Sequence, residues 1–138
     1  MYRKKSNFKI EPMPKEQLHR IEKNFKALGG IIQYDEETDK YLKSKNAEAI
    51  TYNATTILIK RNVGRAGVFE ELIHATQYRN GENDGTYISR LRCEIAAQKK
   101  LIKNAKAYQL TSDEIIQTKH ALEAYEKELH EYIKNGGI

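Results

Sequence analysis

The strand-forming residues of this chain are confined to its first 60 positions, and the chain beyond position 65 is patterned as helix. "IIQY" (31–34), "AEAITYN" (47–53) and "TTILIK" (55–60) carry most of the β-branched residues in that region. Strands this short build a small sheet, which needs helices to cover it. The class this imposes is α+β: a small β-sheet packed against several helices, with a helical C-terminal half. Asn53-Ala54 is turn-prone, so the last two strands are adjacent and can form a hairpin.

The helices are read from apolar spacing. In residues 14–28, Leu18, Ile21, Phe25 and Leu28 recur at three and four on one stripe. Pro14 suits the start of that helix, and Gly29-Gly30 ends it. "DEETDKYLKSKN" reads as a short helix or turn running into a loop, and "RNVGRAG" as a loop. A helix is predicted from about Ala66 to Arg79, stopped by "NGENDG". A longer one covers roughly 86–107, and "TSDE" (111–114) caps a last helix over about 113–134. No repeat or linker interrupts the pattern, so residues 1–138 are expected to form one domain.

Composition narrows the function classes. Hydrophobic residues make up 39% and charged residues 31%, an ordinary globular balance. No apolar run approaches the roughly 18 residues a membrane helix needs, so no membrane partner is expected. No apolar stretch follows the basic start "MYRKKSNFKI", which implies no secretory signal. The expected location is cytoplasmic, or that of a module delivered within a larger chain. One cysteine, Cys93, excludes a disulfide framework and a cysteine zinc cluster. The net charge of +5 is spread among lysines interleaved with glutamates, with one dense basic patch at Arg3, Lys4 and Lys5. A solvated helical surface explains that charge, so nucleic acid is the less favoured partner.

The chemistry concentrates in "VFEELIHATQYRNG" (68–81). Residues four apart on a helix are offset by only about 40°, so Glu70 and His74 share a face, and Glu71 neighbours His74 at three. One imidazole and one carboxylate can hold a divalent metal if a third ligand arrives from elsewhere. Glu94 is the candidate, because "NGENDG" can fold the next helix back against this one. The remaining carboxylate could then act as general base. A blander reading stays open: paired glutamates at a helix start complement its dipole, and a lone histidine is most often a satisfied core or surface residue. His19, His120 and His130 lie among Lys and Glu and read as surface residues. A di-iron bundle would require a second Glu-x-x-His, which the chain lacks.

"VFEELIHATQYRNG", followed by "CEIAAQKKLI" and preceded by "TTILIK", resembles a domain of phage head-morphogenesis proteins of the MuF type and of bacterial polymorphic toxins. That domain is similar to zincin-like metallopeptidases, and the resemblance spans roughly residues 29–130. It implies a strand, an active-site helix and a second helix bearing a glutamate ligand. It also implies that His74 and Glu94 are metal ligands, Glu71 the general base, and Gln77 a residue that orients a ligand or substrate. Glu70 stands where such motifs carry their first histidine. A carboxylate there would complete the metal set but is a harder ligand than imidazole. Zinc is the first expectation, with manganese or iron as alternatives, or no metal at all. The implied activity is that of a metal-dependent hydrolase acting on a peptide or protein, with a phage or immunity protein as a possible partner.

Arg65, Arg79, Arg90 and Arg92 surround this motif in sequence. They are candidates for orienting a substrate carboxylate or phosphate, Arg65 and Arg79 foremost. They would equally serve to neutralise Glu70, Glu71 and Glu94 in a catalytically inactive binding module. Tyr78, Tyr87 and Tyr108 lie near the motif and could stabilise an oxyanion, or simply pack. A nucleic-acid binder or nuclease is the third alternative.

Overall fold

The computed structural model describes residues 2–4 and 9–137, with Tyr2 and Lys4 as backbone alone. The order is β1 (Tyr2–Lys4), α1 (Lys15–Ala27), β2 (Ile31–Gln33), α2 (Glu36–Ser44), β3 (Ala47–Asn53), β4 (Thr56–Ile59), α3 (Arg65–Arg79), α4 (Tyr87–Lys103) and α5 (Ser112–Lys134). This is the α+β class expected from the sequence, with a small sheet and a helical C-terminal half. Among the described residues no helix is long and apolar enough to cross a membrane.

The sheet order is β1-β3-β4-β2. The strands β3 and β4 form the expected antiparallel hairpin, with Ile50 opposite Leu58. On the outer side of β4, β2 runs parallel, with Ile32 opposite Ile57. The strand β1 has no counterpart among the sequence-based expectations. It pairs antiparallel with β3 and sets Arg3 opposite Ala49. Directly opposed residues project to the same face, so Arg3 shares the face of Ala49 and Thr51. Arg3 is therefore buried, contrary to its reading as surface charge. Lys5 and the Lys4 side chain lie outside the described residues.

Both faces of the sheet are covered. On one, α2 sets Leu42 against Ala47, Ile50 and Leu58. The side chain of Asp35 caps this helix by accepting the Thr38 N–H at 2.7 Å. On the other face, Leu18 and Phe25 of α1 and Val68 and Ala75 of α3 pack with Ile32, Ala49, Ile57 and Ile59. Behind α3, Ile73 meets Ala97 and Leu101 of α4. The helix α4 stops at Lys103, short of its expected end near 107. The chain then turns, with Gln109 at φ 56, and Tyr108 stacks on Phe69 at 4.2 Å between ring centroids.

Candidate metal centre

The helix α3 is central because it is covered on both sides, by the sheet and by α4. Its buried residues run all round it: Val68, Ile73 and Ala75, but also Glu70, Glu71, His74 and Gln77. A helix with this pattern occupies an interior, and its buried polar groups need partners. Its N-cap, Gly64, has no side chain to give. The N–H of Ala66 is satisfied instead by Glu114 Oε2 of α5, at 2.7 Å. A Cβ at Gly64 would sit 2.3 Å from Ile10 Cγ2 and 2.8 Å from that same carboxylate oxygen. The first turn of α3 holds no acidic residue. Glu70 and Glu71 thus lie in the second turn, buried, and are not dipole-complementing surface acids.

Glu70, His74 and Glu94 come together as the spacing and the folded-back helix pair predict. Each offers a ligand atom, and these lie within 4.8 Å of one another. His74 Nε2 is 2.7 Å from Glu94 Oε1 and 3.7 Å from Glu70 Oε2. On the far side of the ring, His74 Nδ1 lies 2.7 Å from Gln77 Oε1. The Gln77 amide is oriented by its own donor, since Nε2 donates to the Cys93 carbonyl at 2.9 Å. Its oxygen must therefore accept from His74, which places a proton on Nδ1. In the neutral ring the lone pair then sits on Nε2, facing the two carboxylates, as in metal-binding histidines fixed by an outer partner.

The set passes a second test of fit. His74 Nε2, Glu94 Oε1, Glu71 Oε2 and Gln98 Oε1 are buried polar atoms without a hydrogen-bond partner. The 2.7 Å approach of His74 to Glu94 is thus close enough for charge attraction but lacks hydrogen-bond direction. Orphaned buried atoms are costly, and one divalent cation would satisfy the first two together.

Glu71 sits beside this group. The Thr51 hydroxyl lies 2.9 Å from Glu71 Oε1 and 3.0 Å from the Glu71 carbonyl oxygen. That hydroxyl carries one proton, so both contacts are hydrogen bonds only when the Glu71 carboxyl is itself protonated. Burial, and then the charge of Glu70, push the Glu71 carboxyl up to about 8. Burial also pushes Glu70 up, but Arg3 and His74 outweigh it and hold that carboxyl at about 2. Burial opposes a charged His74, yet Glu70 and Glu94 keep its value well above that of an ordinary histidine. A proton and a metal ion therefore compete for Nε2.

The positive partner of the carboxylates is a residue that no motif in the sequence points to. Arg3 Nη1 donates to Glu70 Oε1 at 2.5 Å, and Nη2 donates to Gln117 Oε1 at 2.7 Å and Thr118 Oγ1 at 3.3 Å. The arginines expected there are engaged elsewhere. Arg65 donates to Gln17 on α1, and exposed Arg79 to the Ala54 carbonyl at 3.4 Å. Arg90 lies over the Tyr87 ring and Arg92 is exposed. Of the tyrosines, Tyr87 packs on Tyr132 and Tyr108 on Phe69. Tyr125 of α5 lies near enough for Glu94 to act on it: burial first, and then Glu94, raise its hydroxyl pKa. Thr118, Leu122 and Tyr125 follow helical spacing, which is the only sequence signal for it. Gln98, one turn beyond Glu94, helps to hold the Glu70 carboxyl low and is a further residue without a sequence signal.

The four central residues are closed off: Glu70 is 2% exposed, Glu71 and His74 0%, and Glu94 7%. A cavity of about 160 Å3 opens beside the start of α3, with Arg3, Gly64, Gly67, Glu114 and Gln117 in its wall. Arg3 belongs to both that wall and the buried cluster. Comparison of the chain with family models, with curated proteins and with solved structures finds no match.

Proposed function

We propose that this chain is a divalent-metal-dependent hydrolase of the zincin-like type, with Glu70, His74 and Glu94 as the metal set and Glu71 as general base. The observation that carries this reading is the Gln77–His74 pair, which fixes the imidazole proton on Nδ1 and turns Nε2 toward Glu94 and Glu70. A divalent ion held there supplies Lewis acidity toward a carbonyl and toward water. Glu71 has one oxygen beside Thr51 and the other unpartnered; a bound cation would favour its ionised form, in which it would take a proton from attacking water and return it to the leaving amine. The resemblance in "EELIHATQ" and "CEIAAQKKLI" supports a peptide or protein substrate and a setting in phage morphogenesis or toxin delivery.

A second reading is favoured by one observation, the complete burial of Glu71. A substrate would have to displace part of the fold to reach it. In that reading the chain is an inactive zincin-like binding module, whose buried cluster holds α3, α4 and β1 together. Nucleic-acid action has no comparable support in the site.

Elemental analysis of the purified protein, beside His74→Ala and Glu94→Ala, tests the metal set. Stoichiometric zinc, manganese or iron in the native chain, absent from both variants, is expected. No metal after dialysis against zinc and manganese would refute the hydrolase. Metal retention combined with cleavage of a mixed peptide library, abolished by Glu71→Gln, separates the enzyme from the inactive module.

A further inference from the structure

Glu70 differs from the histidine of comparable motifs by one negative charge and one additional ligand oxygen. Both differences have a counterpart in the chain. The guanidinium of Arg3 is held at three acceptors on two helices: Glu70 Oε1 on α3, and Gln117 Oε1 and Thr118 Oγ1 on α5. It is 7% exposed, so water screens little of its charge. By occupying Oε1 it leaves only Oε2 turned toward His74, at 3.7 Å.

We propose that Arg3 is a positioning residue for the metal centre, making Glu70 a one-oxygen ligand whose charge is already neutralised. The inference rests on the metal-centre reading above. The pair Arg3–Glu70 then does the work of one neutral imidazole, and the net charge offered to a cation matches that of a histidine-containing set. A merely structural ion pair is the competing account. Under it, losing Arg3 would destabilise the fold and leave metal binding unchanged or weaker. Under the proposal, losing Arg3 adds one negative charge to the site and frees Oε1, so metal binding tightens.

The test uses the full chain stripped of metal. Zinc and manganese dissociation constants are measured by chelator competition, and cobalt(II) absorption reports coordination number. Arg3→Met is expected to bind both metals at least about tenfold more tightly, as expected for removing a buried like charge a few Å away. Its cobalt spectrum should move toward higher coordination. Arg3→Lys, which keeps the charge, should stay within about threefold of the native chain.

Arg3→Met leaves a buried carboxylate without a partner and is at risk of not folding. Two further variants cover that case. Glu70→His alone, with Arg3 retained, should bind zinc more weakly than the native chain. Combining Glu70→His with Arg3→Met should restore binding. Unchanged or weaker binding in Arg3→Met with an unaltered cobalt spectrum overturns the proposal, and so does tighter zinc binding in Glu70→His than in the double variant. A native chain that binds no metal would overturn this inference together with the metal centre. A native chain that binds metal, with Arg3 variants that do not differ from it, overturns this inference alone.

Discussion

Replacing Glu71 by glutamine should make the metal-free protein more stable while removing the proposed general base. The sign comes from the direction of the shift. The Glu71 carboxyl is raised from 4.5 to about 8 in the fold. Between those values the native state keeps a proton that the unfolded chain has released, so stability falls as pH rises through this window and levels off above it. At pH 7 the interval from 4.5 is two to three pH units, or about 3 kcal/mol of destabilisation. Glutamine is close in shape, carries no charge, and can donate through its amide to the Thr51 oxygen, so it escapes the penalty. The gain is a large share of the roughly 5–15 kcal/mol that stabilises a domain. Urea denaturation with a chelator present, run at pH 5, 6, 7 and 8, measures it. The two proteins should be nearly equal at pH 5, and the native chain should lose about tenfold in folding equilibrium per pH unit relative to the variant above that. Parallel pH profiles would refute the reasoning, as would a variant less stable at every pH.

The neighbouring contacts set further outcomes. Gln77→Leu strips His74 Nδ1 of its acceptor and the Cys93 carbonyl of its donor. Chelator competition should show about 10–100-fold weaker metal binding, and thermal unfolding a loss of about 1–3 kcal/mol. Glu114→Ala removes the carboxylate that caps α3 from α5 and should cost about 1–2 kcal/mol by denaturant titration. Glu114→Gln, whose amide oxygen can still accept the Ala66 N–H, should lose clearly less.

Local pattern carried most of the fold. α1, α2, the β3–β4 hairpin and α3 are set by spacing, caps and breakers within a few residues of themselves. The strand β1 is different. Three residues inside a basic segment carry no periodicity, and only pairing with a strand more than 40 positions away makes them a strand. The site divides in the same way. Glu70, Glu71, His74 and Gln77 lie within eight positions on one helix, so helical geometry alone assembles them. Arg65 and Arg79 are near the site in sequence but not in space. Each is five residues from Glu70 or His74, about 140° around the axis, and so faces away. Arg3, Thr51, Gln98 and Tyr125 reach the cluster from other elements, and their roles arise only from tertiary packing.

The fork of Arg3 also bears on the order in which the molecule can mature. Its contacts to Glu70 and Thr118 span 67 and 115 positions. At about 5–20 residues per second, synthesis separates Arg3 from Thr118 by on the order of ten seconds. Over only the last 48 positions of that interval Glu70 has been made while the helix that anchors its counter-ion is incomplete. The carboxylate cluster is therefore completed only once α5 has been made. A nascent chain offers a cation an open, more negative and less ordered set of oxygens than the finished protein does.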